Sequence, residues 1–267
     1  MNIGGGDAMN NKPLGFIGGG RITRIILSGF NHAGNMPGQI VVSDSNIDVL
    51  TSLKTSFPDI HIAHNDNQQP AQQDIVFIAL HPPVMSEILG QIKTVLKPTA
   101  ILVSLAPKLN IAKISEMLNG FNRIARMIPN APSILNEGYN PVAFSPALSK
   151  TEKEELLLLL NILGKSPEVP EDNLEAYAIL TAMGPTYLWF QLQELQNIAK
   201  SFGLTAPEIE DGITNMVIGT VKTFYGSGLI PEEVMDLVPV KPLKDEEDNI
   251  KYIYRTKLAA LYNKLKR

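Results

Sequence analysis

The chain contains no cysteine, which excludes disulfides, thiolate metal sites and a cysteine nucleophile. Histidine is scarce, and His32, His61 and His64 lack metal-ligand spacing, so no metal site is expected. A surplus of positive charge is also missing. Against 27 Asp and Glu stand 23 Lys and Arg, a net charge of -4, which excludes a general basic footprint for nucleic acid. Long apolar runs are absent as well. Leu156 to Leu160 is far too short to span a bilayer, and it follows Thr151-Glu152-Lys153-Glu154-Glu155, the acidic first turn expected of a buried helix. Residues 1–12, with Gly4-Gly5-Gly6, are polar and carry no apolar stretch flanked by positive charge. They read as a flexible tail and not as a signal peptide, and a cytoplasmic location is the expectation. No Ser-His-Asp or paired-carboxylate arrangement stands out.

What is present is a chain of 267 residues, 44% hydrophobic, long enough to bury a core without staples. Its first half alternates apolar runs with helical stretches. Leu14 to Ile17 ends in glycines, and Arg21 to Phe30 then places Ile22, Ile25, Ile26 and Phe30 at helical spacing. Ile40-Val41-Val42 is a second strand closed by Ser43-Asp44-Ser45, Val49 to Phe57 a helix, and Ile60 to Ala63 a third strand. Asp74 to Leu80 is continuously apolar after its first residue, as a strand buried on both faces should be, and stops at His81-Pro82-Pro83. Helix, strand, helix, strand follow at Val84 to Leu96, Ala100 to Leu105, Ile111 to Leu118 and Arg123 to Ile128. That rhythm predicts a doubly wound parallel α/β sheet. Near Pro167-Glu168-Val169-Pro170 the pattern changes to helices, at Asn173 to Leu180, Pro185 to Ser201, Pro207 to Tyr225 and Ile250 to Lys266. Domains are therefore expected at residues 13–170 and 171–267. Asp245-Glu246-Glu247-Asp248 suits the N-terminus of the last helix, and Lys264, Lys266 and Arg267 its C-terminus.

Gly18-Gly19-Gly20-Arg21-Ile22-Thr23 sits where the first strand meets the first helix. The tight turn needs backbone angles closed to residues with a Cβ, and the second glycine of the pattern lets a pyrophosphate approach the backbone. The N–H groups opening the helix then meet the phosphate charge. The third position, usually Gly or Ala, is Thr23. Together with Asp44 at the end of the second strand, the pattern points to a nicotinamide dinucleotide. Asp44 favours NAD, because a carboxylate there accepts from a ribose 2′-OH. NADP stays open: Ser43, Ser45 and Asn46 suit a 2′-phosphate if Asp44 points away, although no arginine follows directly. Arg21 and Ile22 at the helix start, Leu80, His81 and Pro82 after the buried strand, and Ala106 after the next one complete the expected cofactor contacts. Asn65 is expected at the adenosine ribose, with Asn67 its rival.

Gly15-Phe16-Ile17-Gly18-Gly19-Gly20, the strand from Asp74 to Pro82, Arg126-Met127-Ile128-Pro129-Asn130-Ala131-Pro132, Asn136-Glu137-Gly138, Leu163-Gly164-Lys165 and Gly184-Pro185-Thr186-Tyr187 occur in order. As a set they resemble the Δ1-pyrroline-5-carboxylate reductase family over about residues 14 to 235. The resemblance implies an N-terminal Rossmann domain, a C-terminal helical domain that builds a homodimer, and hydride transfer from NAD(P)H to a cyclic imino acid, giving proline. It also places Asn130 near the nicotinamide. Three departures stand out. His81-Pro82 replaces the family's Lys-Pro. Thr181-Ala182-Met183 replaces a serine- and glycine-rich stretch. Asp236-Leu237-Val238-Pro239-Val240-Lys241-Pro242-Leu243 replaces the Ser-Pro-Gly-Gly-Thr-Thr loop that holds the substrate carboxylate and offers a hydroxyl to the imine nitrogen. Thr181 and Tyr187 are therefore the candidates to offer hydroxyls to a substrate, and Lys241 to hold its carboxylate. Trp189 and Phe190 are expected in the core or at a dimer interface, and Ile253, Tyr254, Leu258 and Leu261 on one packing face of the last helix. Two other readings stay open: a related enzyme acting on a different small acid, and a non-catalytic dinucleotide-binding protein.

Overall fold

In the computed structural model, which describes residues 12–266, the alternation folds as a seven-stranded sheet. Its strands are β1 (Leu14–Ile17), β2 (Ile40–Asp44), β3 (His61–His64), β4 (Ile75–Ile78), β5 (Ile101–Ser104), β6 (Ile124–Met127) and, joining later in the chain, β8 (Val142–Phe144). They lie in the order β3-β2-β1-β4-β5-β6-β8. All neighbours pair in parallel except β8, which runs antiparallel to β6. β1, β4, β5 and β6 are buried along their whole length. Such strands are expected to be apolar on both faces, and they are written as nearly continuous apolar runs, β6 excepted at Arg126. Phe16 and Phe77, register partners on β1 and β4, stack with ring centroids 4.7 Å apart.

Helices α1 (Arg21–His32), α2 (Ile47–Ser56), α3 (Gln68–Ala71), α4 (Pro82–Ile92), α5 (Ile111–Met117) and α6 (Lys150–Leu160) connect the strands or close this part of the chain. α1 buries Ile26, Leu27 and Phe30 completely, each worth about 1.5–3 kcal/mol of apolar burial. α6 starts at a capping box between Ser149 and Glu152, and the leucine run follows it into the core with Leu156, Leu159 and Leu160. Two short strands that the periodicity does not reveal, β7 (Gly138–Tyr139) and β9 (Gly164–Lys165), pair in parallel beside the main sheet.

The division of the chain falls later than Pro170. Of the described residues, one compact body comprises those up to Met183 together with 262–266, and the other is Gly184–Leu261. The reason is visible in α7 (Leu174–Tyr177) and the π-turn Ala178–Ala182, whose Leu174, Ala178 and Ile179 are buried. Glu171 and Glu175 moreover reach Arg126 on β6. A change to helical pattern is therefore not a domain boundary here. The expected tail lies outside the described residues but for Lys12, whose ammonium pairs with Glu155 at 2.6 Å.

The second body holds α8 (Gly184–Ser201), α9 (Ala206–Gly226), α10 (Pro231–Asp236) and most of α11 (Glu247–Leu265). α8 buries no residue and α9 only Ile209, while Leu188, Trp189, Phe190, Met216, Val221 and Ile253 stand exposed. Trp189 and Phe190 are thus not core residues of a single chain. Among the described residues no helix is long and apolar enough to cross a membrane.

Candidate functional site

The strand order reverses between β1 and β4, and ligands of open α/β sheets bind at that point, off the carboxyl ends of the strands. Gly18 leaves β1 with φ +102, a conformation that a side chain rarely adopts. A Cβ there would also lie 2.5 Å from the Ala79 carbonyl oxygen, so the turn is pressed against the end of β4. Gly20 differs. Its φ of -69 suits any residue, and a Cβ would meet no atom within 4 Å. Neither conformation nor packing within the chain requires glycine there, and no side chain caps the N–H groups opening α1. The missing side chain leaves open space in front of a helix N-terminus, which suits the close approach of a pyrophosphate. Thr23 in the third position is fully buried, and its hydroxyl donates to the Gly18 carbonyl at 2.5 Å. A small residue is thus replaced by one that ties the helix back to the turn.

Asp44 ends β2 beside this turn. One carboxylate oxygen accepts from the Gly19 N–H at 2.8 Å and the other from the Asn46 N–H at 2.8 Å. Ser43 requires a correction: it is fully buried and its hydroxyl donates to Asn67, because alternate residues of a strand face opposite ways. Ser45 is exposed. Asn65, at φ +54, donates through its backbone to the Asp44 carbonyl and lies next to the His64 ring. Its rival Asn67 is bound to Ser43 and Gln91. Arg21 is exposed and Ile22 half-buried at the start of α1. Leu80, half-buried, and His81, exposed, follow β4, and Pro82 opens α4. Ala106, after β5, is 1% exposed, and its N–H points to the Ser104 hydroxyl at 3.4 Å. Gly18, Asp44, Ser45, Leu80 and His81 thus stand at strand ends or in the turns after them, and Arg21, Ile22 and Pro82 in the first turn of a helix.

The profile of the family described as NADP oxidoreductase, coenzyme F420-dependent, matches residues 13–108. Along more of the chain, the pyrroline-5-carboxylate reductase of Escherichia coli (strain K12) is 24% identical over 228 residues, 85% of this chain and 84% of the relative. The enzyme of the same name from Staphylococcus saprophyticus is 27% identical over 229 residues, 83% of this chain and 82% of the relative. A solved pyrroline-5-carboxylate reductase from Coxiella burnetii is 25% identical with a TM-score of 0.73, covering 96% of this chain and 98% of the other. A pyrroline carboxylate reductase from Plasmodium falciparum with NADP bound shares the fold at 22% identity, with a TM-score of 0.82 and coverage of 97% and 98%. The chain is thus similar to pyrroline-5-carboxylate reductases along most of its length.

Several segments that carry this reductase likeness meet one another. Gly138 and Gly164 approach so closely that a Cβ on Gly164 would lie 2.2 Å from the Gly138 carbonyl oxygen. Asn136, at φ +62, donates through its side-chain amide to the Gly29 and Ile162 carbonyls, both at 2.8 Å. Asn130 is 6% exposed. Its amide donates to the Thr181 carbonyl at 3.3 Å and its side-chain oxygen accepts from the Tyr139 N–H at 3.1 Å. These bonds hold Asn130 in the framework of the reductase fold. Arg126, in the same segment, is 2% exposed and pairs with Glu171 at 2.9 Å and Glu175 at 2.7 Å. Sequence reasoning missed this cluster, although an arginine inside an apolar strand, with two glutamates spaced four apart downstream, was a signal available to it.

The three substrate candidates divide between the two bodies. In the first, the Thr181 hydroxyl donates to the Tyr177 carbonyl at 2.9 Å, so it can offer only its lone pairs elsewhere. In the second, the Tyr187 ring meets Tyr254 edge-on at 5.9 Å, and burial, reinforced by Tyr254, holds its phenol above its ordinary value. Tyr187 is thereby a hydrogen-bond donor and a poorer proton source than an exposed tyrosine. Lys241 lies 3.7 Å from Asp236 with its side chain 40% exposed, and lines an open cleft with Met235, Val238, Pro242 and Leu243.

Proposed function

We propose that the chain is an NAD(P)H-dependent oxidoreductase of the pyrroline-5-carboxylate reductase type, reducing the C=N bond of a small cyclic imino acid and so forming proline. The open space at Gly20, before an uncapped helix N-terminus, carries this reading, in a chain similar to such enzymes along most of its length. The backbone N–H groups opening α1 would hold the pyrophosphate and Asp44 the adenosine ribose. Leu80, His81, Pro82 and the Ala106 backbone, all after β4 and β5, would flank the nicotinamide. The reduced nicotinamide, when bound, supplies a hydride to the imine carbon. A protonated imine is already electrophilic, so the protein's task is to hold the ring and exclude water. Of the substrate candidates, Thr181, in the same body as the glycine turn, is proposed for a polar contact with the ring. Incubation of the purified chain with pyrroline-5-carboxylate and NADH or NADPH tests the reading. Oxidation of the reduced cofactor with matching formation of proline is expected. No turnover at high enzyme concentration would sink it.

A second reading is favoured by one feature. Residues 236–243 form the wall of an open cleft built from Lys241, Pro242, Leu243 and their neighbours, where a relative would carry its hydroxyl-rich loop. That supports a different small acid as substrate, and a screen of imino and hydroxy acids separates the two. The uncovered apolar side chains of α8, α9 and α11 further support a homodimer built through these helices. Light scattering should give twice the 29.2 kDa chain mass, and a monomer at micromolar concentration would refute the pairing.

A further inference from the structure

The relatives leave open which of the two dinucleotides this chain takes. The geometry around the end of β2 narrows the choice, and the argument rests on the dinucleotide reading above. In doubly wound sheets the residue ending this strand faces the adenosine ribose, where NAD carries a 2′-OH and NADP a 2′-phosphate. Here that residue is Asp44, and its carboxylate does not point away. It is held from two sides, by the N–H of Gly19 within the glycine turn and by the N–H of Asn46, both at 2.8 Å.

Apart from the exposed Ser45, the groups able to receive a 2′-phosphate in its place are mostly engaged elsewhere. The Ser43 hydroxyl is buried and bound to Asn67. The Asn46 side-chain oxygen caps α2, accepting from the N–H groups of Asp48 and Val49. Arg24 on α1 donates to Ser52 at 2.8 Å and more weakly to Ser56, both on α2. Lys54 on α2 donates to the Ile60 carbonyl at 2.6 Å. The His64 ring lies against the Ser45 carbonyl and the Asn65 amide. Arg21 remains, but it opens α1, next to the expected pyrophosphate, which both dinucleotides share.

We infer that this chain selects NADH over NADPH and that Asp44 sets the selectivity. A ribose 2′-OH can donate to the fixed carboxylate. A phosphate ester, carrying about 1.5 to 2 negative charges at neutral pH, meets a like charge in the same place. Specificity of this kind comes from the repulsive element as much as from the attractive one.

The test is binding, read without turnover. The full chain is titrated with NADH and with NADPH, following the fluorescence of the bound nicotinamide. Asp44→Asn and Asp44→Ser are titrated likewise, with unliganded melting temperatures confirming that each is folded. The wild-type chain is expected to bind NADH about tenfold or more tighter than NADPH, and both variants to bring the two affinities within about threefold. Equal or tighter binding of NADPH by the wild type overturns the inference while leaving the reductase reading intact. A preference for NADH that persists unchanged in both folded variants removes Asp44 as its cause. Failure of the folded wild type to bind either dinucleotide overturns the inference and the reductase reading together. The wild-type ratio decides the selectivity even if neither variant folds.

Discussion

Two single-methyl additions, two residues apart, separate what the glycine turn does for the fold from what it does for a ligand. Gly18→Ala would place its Cβ 2.5 Å from the Ala79 oxygen and 2.9 Å from Leu80 Cδ2, at φ +102. A side chain in so unfavourable a backbone conformation costs about 1–3 kcal/mol. Overpacking against a neighbouring backbone adds about 1–3 kcal/mol. Together they remove about 2–6 kcal/mol from a stability that is typically about 5–15 kcal/mol. At about 2–4 °C per kcal/mol for a body of this size, the unliganded melting temperature should fall by roughly 4–24 °C. Gly20→Ala adds the same methyl at φ -69 with no atom within 4 Å. Its effect on the unliganded fold should stay within about 1 kcal/mol. The new Cβ would instead stand in front of the first turn of α1, so NADH affinity should fall by about tenfold or more, the equivalent of about 1.4 kcal/mol of steric conflict. Thermal unfolding without ligand and titration with NADH read the two effects separately. If Gly20→Ala bound NADH as tightly as the wild type, the open space would not be the pyrophosphate seat. If Gly18→Ala melted unchanged, the strain argument would fail.

Three further outcomes follow from contacts elsewhere in the first body. Thr23→Val keeps the shape but removes the hydroxyl bound to the Gly18 carbonyl, and should cost about 1–3 kcal/mol in denaturant unfolding; a neutral result would show that this bond contributes nothing. Arg126→Met leaves the buried Glu175 and the half-buried Glu171 without their cation and should cost about 3–5 kcal/mol, whereas a stabilised variant would contradict that account. Glu152 is held well below the ordinary value of 4.5, to about 2, first by Arg123 and then by Ser149. Because the folded chain favours the ionised form, its contribution is present above about pH 4.5 and is lost as the pH falls toward 2. Unfolding free energies from urea titration of the wild type and Glu152→Gln should therefore differ by about 1–2 kcal/mol at neutral pH, allowing for solvent screening of a partly exposed pair, and converge near pH 2; a gap independent of pH would refute the assignment.

Much of the first body is legible in the residues because a parallel strand covered on both faces has to be apolar throughout, and β1, β4 and β5 advertise themselves that way. β8 does not: it has three residues, stands between Pro141 and Ser145, and pairs antiparallel, contrary to the rhythm of the chain before it. β7 and β9 have two residues each, too few to show any period. The break placed at Pro170 marked a real change of pattern, yet the residues just beyond it reach back to Arg126, a long-range pairing that local composition does not record. At the site, Gly18, Gly20 and Asp44 were legible because their chemistry depends on position in a motif. Ser43 was misread because its direction depends on strand alternation, which the motif does not state. Asn130 and Asn136 were visible as motif residues, but their hydrogen-bonding work appears only once distant segments have come together.

The clamp on α1 has a mechanical consequence. The helix is a rod of 12 residues, about 18 Å long. Its front end presents the N–H groups proposed to meet the pyrophosphate. Its rear end is gripped by Asn136, whose amide holds the Gly29 carbonyl and whose side-chain oxygen lies 2.6 Å from the His32 ring. The same amide is anchored to the Ile162 carbonyl, just before β9. The rod is held at its front by the Thr23 bond to Gly18 and at its rear by Asn136, so the aim of the front end is set in part from the far end of the helix. Loosening Asn136 would shift the seat without altering any group in it.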